Sequence, residues 1–390
     1  MANTEIPKLQ TQIDIKSIQP PLQRNSAELT AEELIKEQTI PFPFFRRMSR
    51  GKESTWIISV FVILHLIAFC SAMIVNDCWG NSHEQCVFKR LGRFSFQPLA
   101  ENPLLGPSAS GLDTVGALRL RYLARDHQLW RVFTSPCLHA GFFHLIVSLS
   151  SVVFVGVHLE QEFGALRIGA IYMLSALTGG LLAALFLQDR PSVSASGALF
   201  GLLGSSLSAL IQNWKVYSKK FATVVVILNI LMFNFILGLM PFINNFSNIG
   251  GFISGFLAGF VLLFKPQVGK MYQNKGGIFD YDVKNSFNLR KKLDRPFLRI
   301  VCLVILSFLI AGVVVALLRS VNANKYCGWC KYIDCVPLKW SCNDKTMECE
   351  TMISAEQLTL TCSNNGKFTV LPFTNVSKAR LEDLCNLMCS

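Results

Sequence analysis

The sequence predicts an all-α, multi-pass membrane protein with seven spans, and three observations carry that expectation. The chain of 390 residues is 51% hydrophobic and only 16% charged, with a mean hydropathy of +0.39, which leaves too little polar surface for a soluble domain of this size. Seven apolar runs are long enough for a hydrocarbon core of about 30 Å, which a helix crosses in roughly 20 residues. The net charge of +12 sits in short blocks beside these runs, the distribution of cytosolic membrane flanks and not of a nucleic-acid surface.

Residues 1–55 form a polar N-terminal tail, expected to be mostly disordered, with one short helix over Ser26–Gln38. The first apolar run starts too late for a cleavable signal peptide. The runs are Trp56–Val75, Gly141–Val157, Ile168–Leu187, Val193–Ile211, Phe221–Met240, Phe242–Phe264 and Phe297–Leu318. Backbone groups inside lipid need partners within their own segment, so each run is read as a helix. The first six make a core over 56–264, with a long loop over 76–140 after the first span. A basic loop, 265–296, leads to the seventh span at 297–318, and a cysteine-rich tail occupies 319–390. The second run is short, and has to extend at one end or cross a thin bilayer.

Lysine and arginine orient the bundle. Arg46, Arg47, Arg50 and Lys52 precede the first span, and Lys215, Lys219 and Lys220 separate the fourth from the fifth. Lys265–Arg295 carries eight basic residues against three acidic ones. All three blocks share one side when the N-terminus is cytosolic, and seven spans then place the tail on the other side. Eight of the 13 cysteines (Cys327, Cys330, Cys335, Cys342, Cys349, Cys362, Cys385 and Cys389) lie in the last 64 residues, the other five being scattered. That density reads as a disulfide framework in an oxidising lumen. Cys327-Gly-Trp-Cys330 also has the spacing of a zinc site, the rival reading, but the tail has no histidine and no second CxxC. Asn375-Val376-Ser377 is a glycosylation sequon in the same tail. The expected location is a membrane of the secretory pathway, whether endoplasmic reticulum, Golgi or plasma membrane, with the C-terminus lumenal.

Two spans carry stripes of small residues. The fourth opens Ser194-Ala195-Ser196-Gly197-Ala198-Leu199-Phe200-Gly201, and the sixth places Asn248, Gly251, Gly255 and Gly259 at helical spacing. Such stripes let backbones approach, and close packing of the two spans would bring Ser196 near Asn248. Serine and glycine in membrane helices usually serve packing alone, so spacing by itself assigns no chemistry.

Ordered motifs from about Arg93 to Cys342 add a resemblance. They include Asn102-Pro103-Leu104-Leu105-Gly106-Pro107-Ser108, Trp130-Arg131, Cys137-Leu138-His139-Ala140-Gly141 with His144, and Leu159-Glu160-Gln161-Glu162-Phe163-Gly164. Ser196-Gly197-Ala198-Leu199-Phe200-Gly201-Leu202-Leu203-Gly204, Asn245-Phe246 and Ile249-Gly250-Gly251-Phe252 complete the set. Together they resemble the rhomboid intramembrane serine proteases, most closely the plant rhomboid-like proteins. The resemblance implies a six-helix core, here with one added C-terminal helix. In that family a GxSG serine attacks the peptide carbonyl, a histidine of span six takes its proton, and an asparagine of span two helps bind the oxyanion. It therefore implies Ser196 as the nucleophile position, Asn248 as the base position, Ser148 as the oxyanion position and His144 as a support of the oxyanion region.

This sequence keeps the serine and departs elsewhere. Asn248 stands in place of histidine, Ser148 in place of asparagine, and Ser194 in place of the first glycine. A serine hydroxyl is a weak nucleophile until a base takes its proton, and a carboxamide has no useful basicity. Loss of the base costs on the order of 10⁴–10⁶ in rate, and loss of an oxyanion donor about 10²–10³. The six histidines (His65, His83, His127, His139, His144 and His158) all precede residue 159, so the later spans offer no substitute. Glu160 and Arg167 are expected to fix the loop between spans two and three, and Trp130-Arg131 to anchor the first loop at the interface. The expectation is an inactive rhomboid-like protein that binds single-pass transmembrane clients without cutting them, needs no cofactor or metal, and does not bind nucleic acid. An active protease with an atypical base and a structural membrane protein without a client site are the alternatives.

Overall fold

The computed structural model describes residues 55–82, 86–99, 101–124, 126–186, 190–214, 217, 219–263, 296–334, 349–354, 357–362, 366–371, 381, 384–385 and 388. The expected helix at Ser26–Gln38, the basic loop and the glycosylation sequon lie outside these residues. Seven long helices occur among those described: α1 (Trp56–Asn76), α2 (Phe142–Phe163), α3 (Ala165–Leu185), α4 (Ser196–Gln212), α5 (Lys220–Leu237), α6 (Asn245–Leu262) and α7 (Pro296–Leu318). Six are long and apolar enough to cross a membrane; α4, at 17 residues, is the shorter one.

That distribution extends the second span at its end, one of the two expected ways, and corrects the start of the fourth. The run expected to be short, at 141, becomes a helix of 22 residues because it continues through Phe163. The fourth run loses its start to extended backbone: Leu118 bridges Ser192, and Val193 bridges Ile243. Its helix therefore begins at Ser196 and covers about 26 Å, less than the hydrocarbon thickness of about 30 Å. Such a helix needs a surround of protein, and fourteen residues of α4 are buried. Three of its serines are satisfied internally, Ser205 and Ser206 on the Leu202 carbonyl and Ser208 on that of Ser205.

The glycine stripes are what let α6 reach α4. A Cβ added at Gly251 would fall on the Gly197 carbonyl, one at Gly255 on that of Gly201, and one at Gly259 on Ser205 and Ser208. The two helices thus run parallel with their backbones in contact over two turns. Helices α5 and α7 do the opposite. Each buries three residues, Thr223, Ile227 and Asn234 on one and Cys302, Leu306 and Val313 on the other, and each turns a broad apolar face outward, as a lipid-facing helix does.

The first loop is a compact substructure. Asn102 donates to the carbonyls of Pro107 and Ala140 and accepts from the Leu104 amide, which pins the Asn102–Ser108 motif to the start of α2. Arg131 is buried and donates to the Asp113 and Ala117 carbonyls, with its guanidinium over the Tyr122 ring. It organises the loop interior; only Trp130 is half-exposed, as an interfacial anchor would be. Glu160 also differs from expectation. Both its carboxyl oxygens accept backbone amides of α1, from Ile57 and Ile58, so it caps the first helix and does not brace its own loop.

Among the described residues, the named strands lie in the tail and depart from an all-α architecture. Strands β1 (Cys349–Ile353), β2 (Leu358–Cys362) and β3 (Phe368–Leu371) form an antiparallel meander in which Cys349 faces Cys362. Leu358, Leu360 and Cys362 alternate inward, the period-two pattern of a strand with one buried face. Cys349 pairs with Cys385, and Cys327 pairs with Cys330, which displaces the zinc reading of that motif. One disulfide was not expected: Cys78–Cys86, just after α1.

Candidate functional site

The ends of α1, α3, α5 and α7 and the starts of α2, α4 and α6 gather on the side of the first loop, and the candidate residues lie in that layer. The backbone before Ser196 is tied on both sides. The Ser194 hydroxyl shares a hydrogen bond with that of Ser135 at 2.8 Å, and the Ser194 carbonyl accepts from the Ser247 hydroxyl of α6 at 3.1 Å. Ser194, which replaces a glycine of the motif, thus links the first loop to the start of α4. Asn244 caps α6 by accepting the Phe246 and Ser247 amides.

Ser196, Asn248, Ser148 and His144 are all buried, at 3%, 0%, 2% and 1% exposure. Each keeps one polar atom without a hydrogen-bond partner: Ser196 Oγ, Asn248 Oδ1, Ser148 Oγ and His144 Nε2. Buried polar atoms are nearly always paired, so each of these four is open to water or a polar ligand. Ser196 and Asn248 come from helices in backbone contact and lie within a turn of that contact. They are not hydrogen-bonded to each other: Asn248 gives an Nδ2–H to Asn245 Oδ1 at 2.7 Å, while its Oδ1 and Ser196 Oγ each lack a partner.

The hydrogen bonds of His144 set its chemistry. Nδ1 accepts the Ala140 amide at 3.2 Å, so the proton of the neutral ring sits on Nε2. That nitrogen is a donor, suited to an oxyanion or carbonyl and unsuited to removing a proton from Ser196. The same imidazole belongs to a row that the sequence did not reveal. His139 lies 5.0 Å from both His65 and His144, ring centre to ring centre, and His65 bonds the Tyr172 hydroxyl at 2.7 Å and the Cys137 carbonyl at 3.3 Å. In the loop, burial, then His144 and His65, hold the His139 imidazole well below its ordinary range, so it stays neutral. No spacing rule joins residues from α1, a loop, α2 and α3, which is why this row was invisible in the sequence. Among the described residues no group of histidines, cysteines and carboxylates has the geometry of a metal centre.

With a short α4 held inside a bundle, its first residue a serine and its glycines against α6, the structure is a membrane-helix bundle, and the chain belongs to the rhomboid family. A rhomboid domain model matches residues 126–265. The Arabidopsis thaliana protein named inactive RHOMBOID-like protein 8 is 52% identical over 314 residues, covering 80% of this chain and 90% of its own. RHOMBOID-like protein 1 of the same plant is 39% identical over 338 residues, 86% of this chain and 85% of its own. Inactive rhomboid protein 1 of Danio rerio is 35% identical over 212 residues, 54% of this chain and 22% of its own.

Proposed function

We propose that this protein is a non-cleaving rhomboid that binds transmembrane clients at the Ser196 layer. The observation that carries the reading is the Ser196 hydroxyl, buried with no acceptor to take its proton. Asn248 at the base position spends its N–H on Asn245, and His144 offers a donor in place of a lone pair. Without a base the hydroxyl keeps its proton and hydrolysis stalls. What persists is a set of buried polar atoms able to hydrogen-bond an extended client segment. A plant relative named inactive supports the same reading.

Charge and cysteines support the orientation. On the proposed seven crossings the Cys78–Cys86 and Cys327–Cys330 disulfides share one side and the basic blocks the other, which supports a cytosolic N-terminus, a lumenal tail and a membrane of the secretory pathway.

The test reconstitutes the full chain with a photo-crosslinkable transmembrane peptide that an active rhomboid cleaves. The expected result is crosslinking to α2, α4 or α6 without cleavage, lost in Ser148→Phe, which fills the layer. Cleavage abolished by Ser196→Ala would mean an active protease with another base. Crosslinking no greater than that of Ser148→Phe would mean a structural protein without a client site.

A further inference from the structure

The chain leaves α7 at Leu318 and turns back over the bundle. Asn324 donates to the Phe186 carbonyl at the end of α3 at 2.7 Å. The Cys327–Cys330 disulfide then closes a tight turn, Cys330 is buried, and Tyr326, Trp329 and Tyr332 are exposed. Aromatic side chains of this kind seat at a membrane interface. The segment ends on α6: Asp334 Oδ1 accepts the Asn245 amide at 2.6 Å, and the Ile333 carbonyl accepts from Asn245 Nδ2 at 2.8 Å.

This contact fixes more than a helix end. Asn245 Nδ2 faces two carbonyls, those of Ile333 and, at 3.3 Å, Phe235. Only an NH₂ group can serve both, so Asn245 Oδ1 has to face Asn248, and Asn248 has to present its own NH₂ in return. The carboxamide at the base position is thereby left with one free atom, its Oδ1 acceptor. With the segment released, only the longer contact to Phe235 would remain to orient Asn245.

We propose that Ala323–Asp334 is a strap whose seating on α6 sets the orientation of Asn248 through Asn245, making Asn245 and Asp334 positioning residues of the site. The inference rests on the reading of Asn248 as part of the binding layer. The strap is also proton-linked. Burial pushes the Asp334 carboxyl up to about 7, against the pull of the Asn245 and Phe246 amides. Among the described residues, the groups it meets, Asn245, Phe246 and the adjoining Ile333, carry no titratable side chain. Free in water it would ionise near about 3.9. The seated state therefore holds the proton over the interval between the two values, so seating is strongest in acid, weakens as pH rises to about 7 and is level above it.

The experiment is nuclear magnetic resonance of the full chain in nanodiscs, labelled with ¹⁵N-asparagine, with no client present. The expected result is that the Asn245 backbone amide titrates with a midpoint near pH 7 and that Asp334→Asn, which keeps an acceptor oxygen, abolishes the titration while holding the signal in place. Asp334→Ala should shift both that amide and the Asn248 carboxamide. Cys327→Ser with Cys330→Ser, which touches none of the seven long helices, should do the same and guards against misfolding of the first variant. An Asn245 amide that Asp334→Ala leaves unmoved would overturn the strap, and no titration between pH 5 and 8, or one that survives Asp334→Asn, would overturn its proton linkage. An Asn248 carboxamide that stays unmoved while the Asn245 amide shifts would overturn the positioning role. These signals are read without a client, so failure of client binding would count against the proposed function and leave the strap standing.

Discussion

Replacing Gly251 by alanine tests the contact that builds the site. The added Cβ would meet the Gly197 carbonyl oxygen, with the carbonyl carbon at 2.7 Å and the Gly197 Cα at 2.9 Å. All of these are backbone atoms of α4, so no side chain can swing aside. Ordinary carbon contacts need about 3.5–4.0 Å, so α4 and α6 would have to part by roughly 1 Å. Overpacking of this kind costs about 1–3 kcal/mol, a factor of about 5 to 150 in the folded-to-unfolded ratio. The control is Gly312→Ala on α7, where an added Cβ meets nothing within 4 Å. There the better helix propensity of alanine makes the change neutral or stabilising by up to about 1 kcal/mol. Reversible unfolding in mixed detergent micelles would measure both. Gly251→Ala as stable as the parent, or the two variants equally destabilised, would refute the account of the α4–α6 contact.

Two further outcomes are expected. Glu160→Ala strands the Ile57 and Ile58 amides at the start of α1, a loss of about 1–3 kcal/mol, whereas Glu160→Gln keeps one acceptor and should lose less; thermal unfolding in detergent would separate them. Peptide mapping without reductant should recover Cys78 linked to Cys86, and a membrane-impermeant maleimide should label Phe88→Cys, at an exposed position of the first loop, above the parent and from the lumenal face alone. Labelling from the cytosolic face would reverse the proposed topology.

The helices were legible because membrane spans announce themselves by length and hydropathy, and the glycine stripes because helical spacing puts them on one face. Helix starts were not. Val193 and Phe242 are as apolar as the spans they precede, and only the pairing of Val193 with the 242–244 turn keeps both out of a helix. The short strands of the tail have only a brief signal in the sequence, the alternation Leu358-Thr359-Leu360-Thr361-Cys362. Cys78 and Cys86 looked scattered in sequence, although both follow the first span and so share the side of the tail. At the site, the motifs marked Ser196, Asn248, Ser148 and His144. Sequence left open where the Asn248 amide points, because that depends on Asn245 and on Ile333, 88 positions away from Asn245.

Reconstituted cleavage of a rhomboid substrate tests the central claim most directly, comparing the parent with Asn248→His plus Ser148→Asn, each with and without Ser196→Ala. The account predicts no Ser196-dependent cleavage by the parent and its appearance in the double variant, where a base and an oxyanion donor rejoin an intact scaffold. Cleavage by the parent that disappears with Ser196→Ala would contradict it.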